Sequence, residues 1–110
     1  MRAVVVWWDL EGSGQTIDSL RPFLRDEAVP RFAEFPGLRL KIWISDREHN
    51  RWGAFLLWES AEAAAQPMPT RAAELIGRPP AHRYEFDVEA VTEGLHSLPA
   101  LAGLGPALDP

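Results

Sequence analysis

The chain has 110 residues, which is enough for one domain with a single modest core. Hydrophobic residues make up 46% of it and charged residues 25%, values that are typical of globular proteins and argue against disorder. The formal net charge of −5 gives no reason to expect a nucleic-acid partner, and the absence of cysteine excludes disulfides, thiol nucleophiles and cysteine-ligated metals.

The first predicted element is a strand from Ala3 to Trp8. Its residues are apolar throughout and mostly β-branched or aromatic, which is typical of a central strand covered on both faces. The same run is too short for a signal-peptide core or a membrane span. We therefore expect a cytoplasmic protein that does not associate with membranes.

A helix is predicted next, because apolar residues recur at intervals of three and four. They are Ile17, Leu20, Leu24, Ala28, Phe32 and Phe35. Asp18 or Ser19 is the predicted N-cap, which places Pro22 in the first turn, where a missing N–H costs little. Pro30 removes a hydrogen bond within the helix, so we expect a kink or break between Asp26 and Pro30.

The stretch from Pro36 to Glu59 is predicted to form a hairpin of two strands. The first, Gly37 to Ser45, alternates between apolar and polar residues, whereas the second, Trp52 to Glu59, is largely apolar on both faces. An alternating strand belongs nearer the edge of a sheet, and a strand that is apolar on both faces belongs in its centre.

The second helical segment is predicted to be broken in two. Ser60 can cap a helix over 61–66, and the prolines in 67–69 prevent it from continuing. Thr70 can cap a second short helix that ends at Ile76, before a glycine.

The last predicted strand, His82 to Val88, alternates again, and residues 92–98 are predicted to add a helical turn or two. We expect residues 1–98 to form one domain. Residues 99–110 form a tail rich in proline and glycine. The sequence leaves two alternatives for this tail, namely disorder and packing on a neighbouring surface.

The order β-α-β-β-α-β predicts an α+β, ferredoxin-like fold with a four-stranded antiparallel sheet of order 4-1-3-2. In that order the first and third strands lie in the centre, and these are the two strands that are apolar on both faces. Burial pattern and topology therefore agree.

The hairpin register decides which residues share a face of the sheet. If Trp43 lies opposite Ala54, one face carries Arg39, Lys41, Trp43, Ser45, Trp52, Leu56 and Trp58. The other face carries Leu38, Leu40, Ile42, Ile44, Phe55 and Leu57, and we expect this one to face the helices. A second copy is then predicted to cover the tryptophan face, which gives a homodimer through sheet-to-sheet packing. A register of the opposite parity would mix the two faces.

The chain resembles the small monooxygenases of the dimeric α+β barrel superfamily over residues 2 to 92. The resemblance is carried by PGLRLKIWISDREHNRWGAFLLWESAEAA, which is Pro36 to Ala64, and by YEFDV, which is Tyr84 to Val88. It implies a homodimer with a pocket beside the sheet, and oxygenation of an aromatic compound without metal or flavin. The interrupted second helical segment and Pro30 depart from the pattern and would border the pocket, which leaves the substrate undetermined.

Four aromatic residues are predicted to bind a flat aromatic ligand. Trp43 and Trp58 are the first candidates, with the core of a dimer interface as the alternative. Trp7 and Trp8 point to opposite faces, so at most one of them lines a given pocket, and Trp7 is the predicted one. Tyr84 is the fourth candidate.

His82 is the predicted catalytic residue. It shares a face of the last strand with Tyr84, and a neutral imidazole is a suitable base for removing a proton from a phenol. The alternative is an edge-strand histidine half in solvent.

Three further features are predicted to have structural roles. Asp46, Glu48 and His49 share a hairpin loop, but their spacing is not a recognised ligand pattern, so we expect a solvated loop and no metal site. The Gly12-Ser-Gly14 motif is incomplete as an anion site and favours a turn. Lys41 is expected to point inward and to need an acidic partner, for which the candidates are Glu85 and Asp87 of either copy.

We hypothesise a monooxygenase that needs no cofactor and acts, as a homodimer, on a small aromatic or quinone-type compound. Two alternatives remain open. One is a non-catalytic dimeric ligand-binding or stress-associated module, and the other is an isomerase or cyclase of the same fold.

Overall fold

The computed structural model describes residues 1–95 and 101–109. Its strands are β1 (Arg2–Asp9), β2 (Leu38–Asp46), β3 (Arg51–Trp58) and β4 (His82–Asp87). Its helices are α1 (Arg21–Phe23), a π-helical segment (Leu24–Ala28), α2 (Val29–Ala33), α3 (Ala61–Ala65) and α4 (Arg71–Ile76). The predicted α+β, ferredoxin-like arrangement is confirmed.

The four strands form one antiparallel sheet in the order β2-β3-β1-β4, which is the predicted order read from the other edge. Trp43 lies opposite Ala54, so the predicted hairpin register is also confirmed. A register shift between Leu38 and Leu40 is the one departure, and it pairs Leu38 with Trp58.

The first helical segment is irregular where Pro30 was expected to disturb it. Five residues, Leu24–Ala28, are wound as a π-helix between α1 and α2, and Pro30 lies in the first turn of α2. A proline has no N–H to donate, so it interrupts the series of backbone hydrogen bonds in the helix, and the π-helical stretch accommodates this interruption. The N-cap prediction was wrong: Leu20 precedes α1 and makes no side-chain cap, and it lies two residues after Asp18 and one after Ser19.

The second helical segment is broken in two, as predicted. The Ser60 hydroxyl caps α3 by accepting a hydrogen bond from the Ala63 amide at 3.1 Å. Thr70 precedes α4 but makes no such cap, since its hydroxyl donates to Glu74 instead. Gly77 ends α4 with a φ of 87°, a left-handed conformation that glycine adopts without strain.

The prediction of which sheet face meets the helices was wrong. Trp52, Leu56 and Trp58 are at most 6% exposed beneath the helices, whereas Ile42 and Ile44, which were expected there, are 45% and 44% exposed. We call the side with Trp43, Trp52 and Trp58 the helix-covered face, and the side with Trp7, Ile42, Ile44, Phe55, Tyr84 and Phe86 the open face. The strand register determines which residues share a face of the sheet. Because both faces are apolar in this protein, their composition does not indicate which of them the helices cover.

Two clusters of buried residues form the core between the helices and the sheet. One surrounds Trp8, Leu20 and Trp52, and the other surrounds Val4 and Trp58. Trp43 packs against both clusters, which places it at the junction between them.

The chain after β4 has no regular structure over 89–95, so the predicted helical turn is wrong for 92–95, and its remainder lies outside the described residues. Residues 101–109 form turns, and Ala107 packs against the core cluster of Trp8 and Trp52. Within the described part of the chain, no helix is long and apolar enough to cross a membrane.

Candidate functional site

A cavity of about 340 Å³ lies between the helix-covered face and the helices. Its sheet side is formed by apolar residues of the central strands, including Val4, Ala54 and Leu56. Its helix side includes Phe23, which directly precedes the π-helical segment, and Ala28, which is the last residue of that segment. We call it the helix-side cavity. Ligand sites in proteins usually begin at about 300 Å³, so its size suits a small ligand.

Two of the predicted ligand-binding tryptophans, Trp43 and Trp58, line this cavity. Phe32 meets Trp43 edge-on at 5.9 Å between ring centroids, and Phe35 meets Trp58 in the same way at 5.6 Å. Such edge-to-face packing holds the rings in fixed orientations. The arrangement leaves a slot with flat, rigid walls.

Trp8 and Trp52 also line the cavity, and the prediction had not included them. Their rings lie 5.7 Å apart, and the Trp8 indole N–H donates a hydrogen bond of 2.9 Å to the Arg78 carbonyl. Trp8 thus takes the place expected for Trp7. Neighbouring strand residues point to opposite faces, so Trp8 shares a face with Val4 and Trp7 does not. Selecting Trp8 from the sequence would have required knowing that the helices cover the face of Val4.

Lys41 lines the cavity from β2. Its ammonium nitrogen lies 3.3 Å from the Phe32 ring centroid and 4.6 Å from the Trp43 ring centroid. Burial lowers the pKa of this amine from 10.5 to about 7, because apolar surroundings disfavour the charged form.

Neither Glu85 nor Asp87 of the same protomer, which are two of the acidic partners predicted for Lys41, is paired with it. Glu85 is paired with Arg83 at 2.7 Å and Asp87 with Arg2 at 2.8 Å, on the strand at the far edge of the sheet. Among the described residues, no ion pair includes Lys41.

Other charged residues at the cavity are mostly basic. Glu27 is the one acidic residue that lines it, and its carboxylate is paired with Arg71 at 3.2 Å. Arg31 and Arg83 line it as well. Arg71 is paired with Glu27 and Arg83 with Glu85, so among the described residues Arg31 and Lys41 are the cations of the lining without an ion pair, and they favour an acidic ligand.

The remaining predicted site residues lie on the open face. His82 stacks on Trp7 with 4.7 Å between ring centroids, and its Nδ1 is 3.4 Å from the Tyr84 hydroxyl. The Trp7 indole nitrogen is buried and has no hydrogen-bond partner among the described residues. Trp7, His82 and Tyr84 thus form a second aromatic group on the other side of the sheet.

The single aromatic slot predicted from the sequence is therefore wrong for one protomer. Trp43 and Trp58 lie on the helix-covered face, whereas Trp7, Tyr84 and His82 lie on the open face. The physical reason is strand parity, because Trp7 and Trp8 face opposite ways and the helices cover the side of Trp8.

The hairpin loop holds Asp46, Glu48 and His49 with possible ligand atoms within 4.8 Å of one another. The Asp46 carboxylate contacts the His49 ring nitrogen at 2.7 Å and accepts from the His49 amide at 3.3 Å. The side-chain hydrogen bond with His49 lowers the pKa of Asp46. These contacts account for the cluster as an ordinary turn at the surface. Gly12 and Gly14 have φ of 73° and 81° and likewise form a turn.

A second cavity, of about 660 Å³, lies at the β2 edge of the sheet. Residues 101–108 of the tail line it together with Ile42, Ile44 and the helical residues Leu24 and Val29. Lys41 and Trp43 line both cavities, so the tail packs close to the helix-side cavity.

The chain is similar in structure to a known monooxygenase. No protein-family model and no curated protein matches the chain. A solved structure that matches is a monooxygenase from the gene ActVA-Orf6 of Streptomyces coelicolor, in complex with the ligand nanaomycin D. The chains are 18% identical, with 86% of this chain and 92% of that chain covered and a TM-score of 0.59. The protein therefore has the fold of this monooxygenase, which confirms the resemblance seen in the sequence at the level of fold.

Proposed function

We propose that the protein is a monooxygenase that acts on a small aromatic or quinone-type compound in the helix-side cavity. The observation that carries the proposal is the aromatic-walled cavity of about 340 Å³, on a fold shared with a monooxygenase. Flat rigid walls and few polar groups suit a flat aromatic ligand.

The proposed reaction uses the substrate itself as reductant and needs no cofactor. In an anthrone a ring CH₂ group becomes C=O, one atom of O₂ enters the substrate, and the other leaves as water with the two hydrogens. In a hydroquinone a ring C–H becomes C–OH as the ring is oxidised to a quinone, and the second oxygen atom leaves as water with the two hydrogens lost in that oxidation. Trp43 and Trp58 hold the substrate ring and keep water from it. Removing a proton makes the substrate electron-rich enough to react with oxygen.

The proposed active form is a homodimer built on the open face. Ile42, Tyr84 and Phe86 are 45–52% exposed in the protomer, and an apolar patch of this kind on a soluble protein usually marks an interaction site. A second copy packed sheet to sheet covers it on both molecules at once.

His82 remains the catalytic residue that the sequence predicts, but only for a substrate bound between two sheets. Its side chain and the helix-side cavity lie on opposite sides of the sheet. The proposal therefore allows two locations for the chemistry, and tryptophan substitutions on the two faces distinguish them.

Oxygen uptake with a panel of hydroquinones and anthrones tests the function. We expect uptake by the wild type and at least a tenfold loss in Trp43→Ala, with Trp7→Ala as the matched control on the open face. A loss confined to Trp7→Ala and His82→Ala would move the reaction to the open face. Binding of these compounds without any uptake would favour the ligand-binding module, and conversion without oxygen the isomerase or cyclase.

A further inference from the structure

Lys41 is the only lysine in a chain with eleven lysines and arginines in total. Arginine keeps its proton under all ordinary conditions, whereas a lysine amine loses its proton readily when it is buried. Among the lysine and arginine side chains, the one able to give up its proton near neutral pH thus lies at the helix-side cavity.

The surroundings of the Lys41 amine are aromatic rather than acidic. The Phe32 ring is 3.3 Å away and the Trp43 ring is 4.6 Å away, measured to the ring centroids. Both rings also line the helix-side cavity, so a ligand in it shares its walls with the amine.

The charged groups near the amine leave it without a fixed counter-ion. Those that line the two cavities with Lys41 are Arg21, Glu27, Arg31, Arg39, Arg71 and Arg83. The carboxylate among them, Glu27, is paired with Arg71. The neighbouring cations oppose protonation of the amine, and the ring faces favour it by about 1–2 kcal/mol. Burial lowers the pKa of the amine from 10.5 to about 7, so both protonation states are populated near neutral pH.

We propose that Lys41 is the proton acceptor of the helix-side cavity and that the cavity takes aromatic compounds with an ionisable hydroxyl group. The reaction of the ionised compound with oxygen rests on the proposed function, whereas the proton transfer to Lys41 does not. The amine nitrogen forms a bond to the hydroxyl proton, the O–H bond breaks, and its electron pair stays on the oxygen. The products are an ammonium and an aryloxide, so charge is conserved and nothing is oxidised.

The surroundings of the Lys41 amine suit both the state before the proton transfer and the state after it. Before it, the neutral amine needs no counter-ion among the rings. After it, the aryloxide supplies the anion that the described chain does not provide, and the pair is strengthened by the apolar surroundings. An aryloxide is also the electron-rich form that the proposed oxygenation requires.

The first experiment measures the amine directly in the wild-type protein. With carbon-13 at the lysine ε position, the single lysine gives one signal whose shift follows its protonation. We expect a midpoint near pH 7, and a midpoint near 10.5 would overturn the proposal. This measurement needs no variant, so it stands even where a substitution prevents folding.

The second experiment uses 4-nitrophenol, whose ionised form is seen by its visible absorption. We expect the bound probe to ionise at least one pH unit below the free probe, a tenfold change in its equilibrium. Lys41→Met, an unbranched and neutral replacement, should abolish this shift. Arg25→Met removes an exposed cation that lines neither cavity and should behave like the wild type. Equal ionisation of the bound probe in wild type and Lys41→Met, or no binding by either, would overturn the proposal.

These results are distinguishable from the outcome of the oxygen measurements. A Lys41-dependent ionisation of nitrophenol without oxygen uptake from any substrate would remove the proposed function and keep the proton acceptor. Oxygen uptake that is unchanged in Lys41→Met would do the reverse.

Discussion

The two faces of the sheet are similarly apolar but differ in what they can do. The helix-covered face buries Trp52 and Trp58 to within 3% of full burial, yet leaves a cavity beside them. At Tyr84 and Phe86, which are about half exposed, the open face offers a surface rather than a cavity. Large aromatic residues alone therefore do not identify a ligand site. A site requires a second layer that encloses space, and here the irregular first helical segment provides it.

The largest difference between the faces should be seen in stability. Trp58 is 1% exposed and packs against Phe35, so Trp58→Ala should lower the free energy of unfolding by about 3–5 kcal/mol through lost burial and a new cavity. Phe86 is 52% exposed, and Phe86→Ala should cost less than about 1 kcal/mol in the monomer. Urea unfolding at low protein concentration measures both. Equal losses would mean that the open face is as buried as the other.

The next largest effect depends on pH and belongs to the helix-covered face alone. The pKa of Lys41 falls from 10.5 in the unfolded chain to about 7 in the folded protein. Below pH 7 both states are protonated and folding bears the full cost of the buried ammonium, which is on the order of 5 kcal/mol. Between pH 7 and 10.5 the unfolded state holds more protons, so stability from this residue rises with pH.

Lys41→Met should therefore be more stable than the wild type below pH 7, with a gain that disappears toward pH 10.5. Urea unfolding across this pH range gives the difference between the two proteins and cancels other titrating groups. Arg25→Met is the control, because its exposed pairing with Asp26 should leave the pH dependence unchanged. A constant difference between wild type and Lys41→Met would contradict the lowered pKa.

The sequence was sufficient for the fold because its signals are local and agree with one another. Two strands apolar on both faces belong in the centre, and the hairpin register follows from the same alternation. Ser60 and Pro30 marked a helix start and a helix irregularity for stereochemical reasons that do not depend on tertiary contacts.

The site was predicted only in part because it depends on which face the helices cover. Trp43 and Trp58 were named for their aromatic character and do line the cavity, but Trp7 was named where Trp8 lies. The aromatic surroundings of the Lys41 amine include Phe32, which is nine residues away in the chain and on a different element. No pattern in one strand contains that information.

A charged side chain introduced on the open face should weaken the association of two copies and leave the folding of each protomer unchanged. Ile42 lies on the edge strand β2 of this face and is 45% exposed, so Ile42→Glu should leave the isolated protomer folded. In a sheet-to-sheet dimer the carboxylate would be buried without a partner, at a cost of several kcal/mol, and association should weaken at least about 100-fold. Light scattering over a dilution series measures this. A wild type that is monomeric at micromolar concentration would contradict the proposed dimer.

The smallest expected effect is that of His82→Ala on ligand binding in the helix-side cavity. His82 is exposed, and the sheet separates its ring from Trp43 and Trp58. We expect the affinity for 4-nitrophenol to change less than about twofold, and the free energy of unfolding by less than about 0.5 kcal/mol, as is usual for exposed positions. Fluorescence quenching of the tryptophans and urea unfolding are the two measurements. A tenfold loss of affinity in His82→Ala, with Lys41→Met unaffected, would place the ligand on the open face and reverse the roles of the two faces.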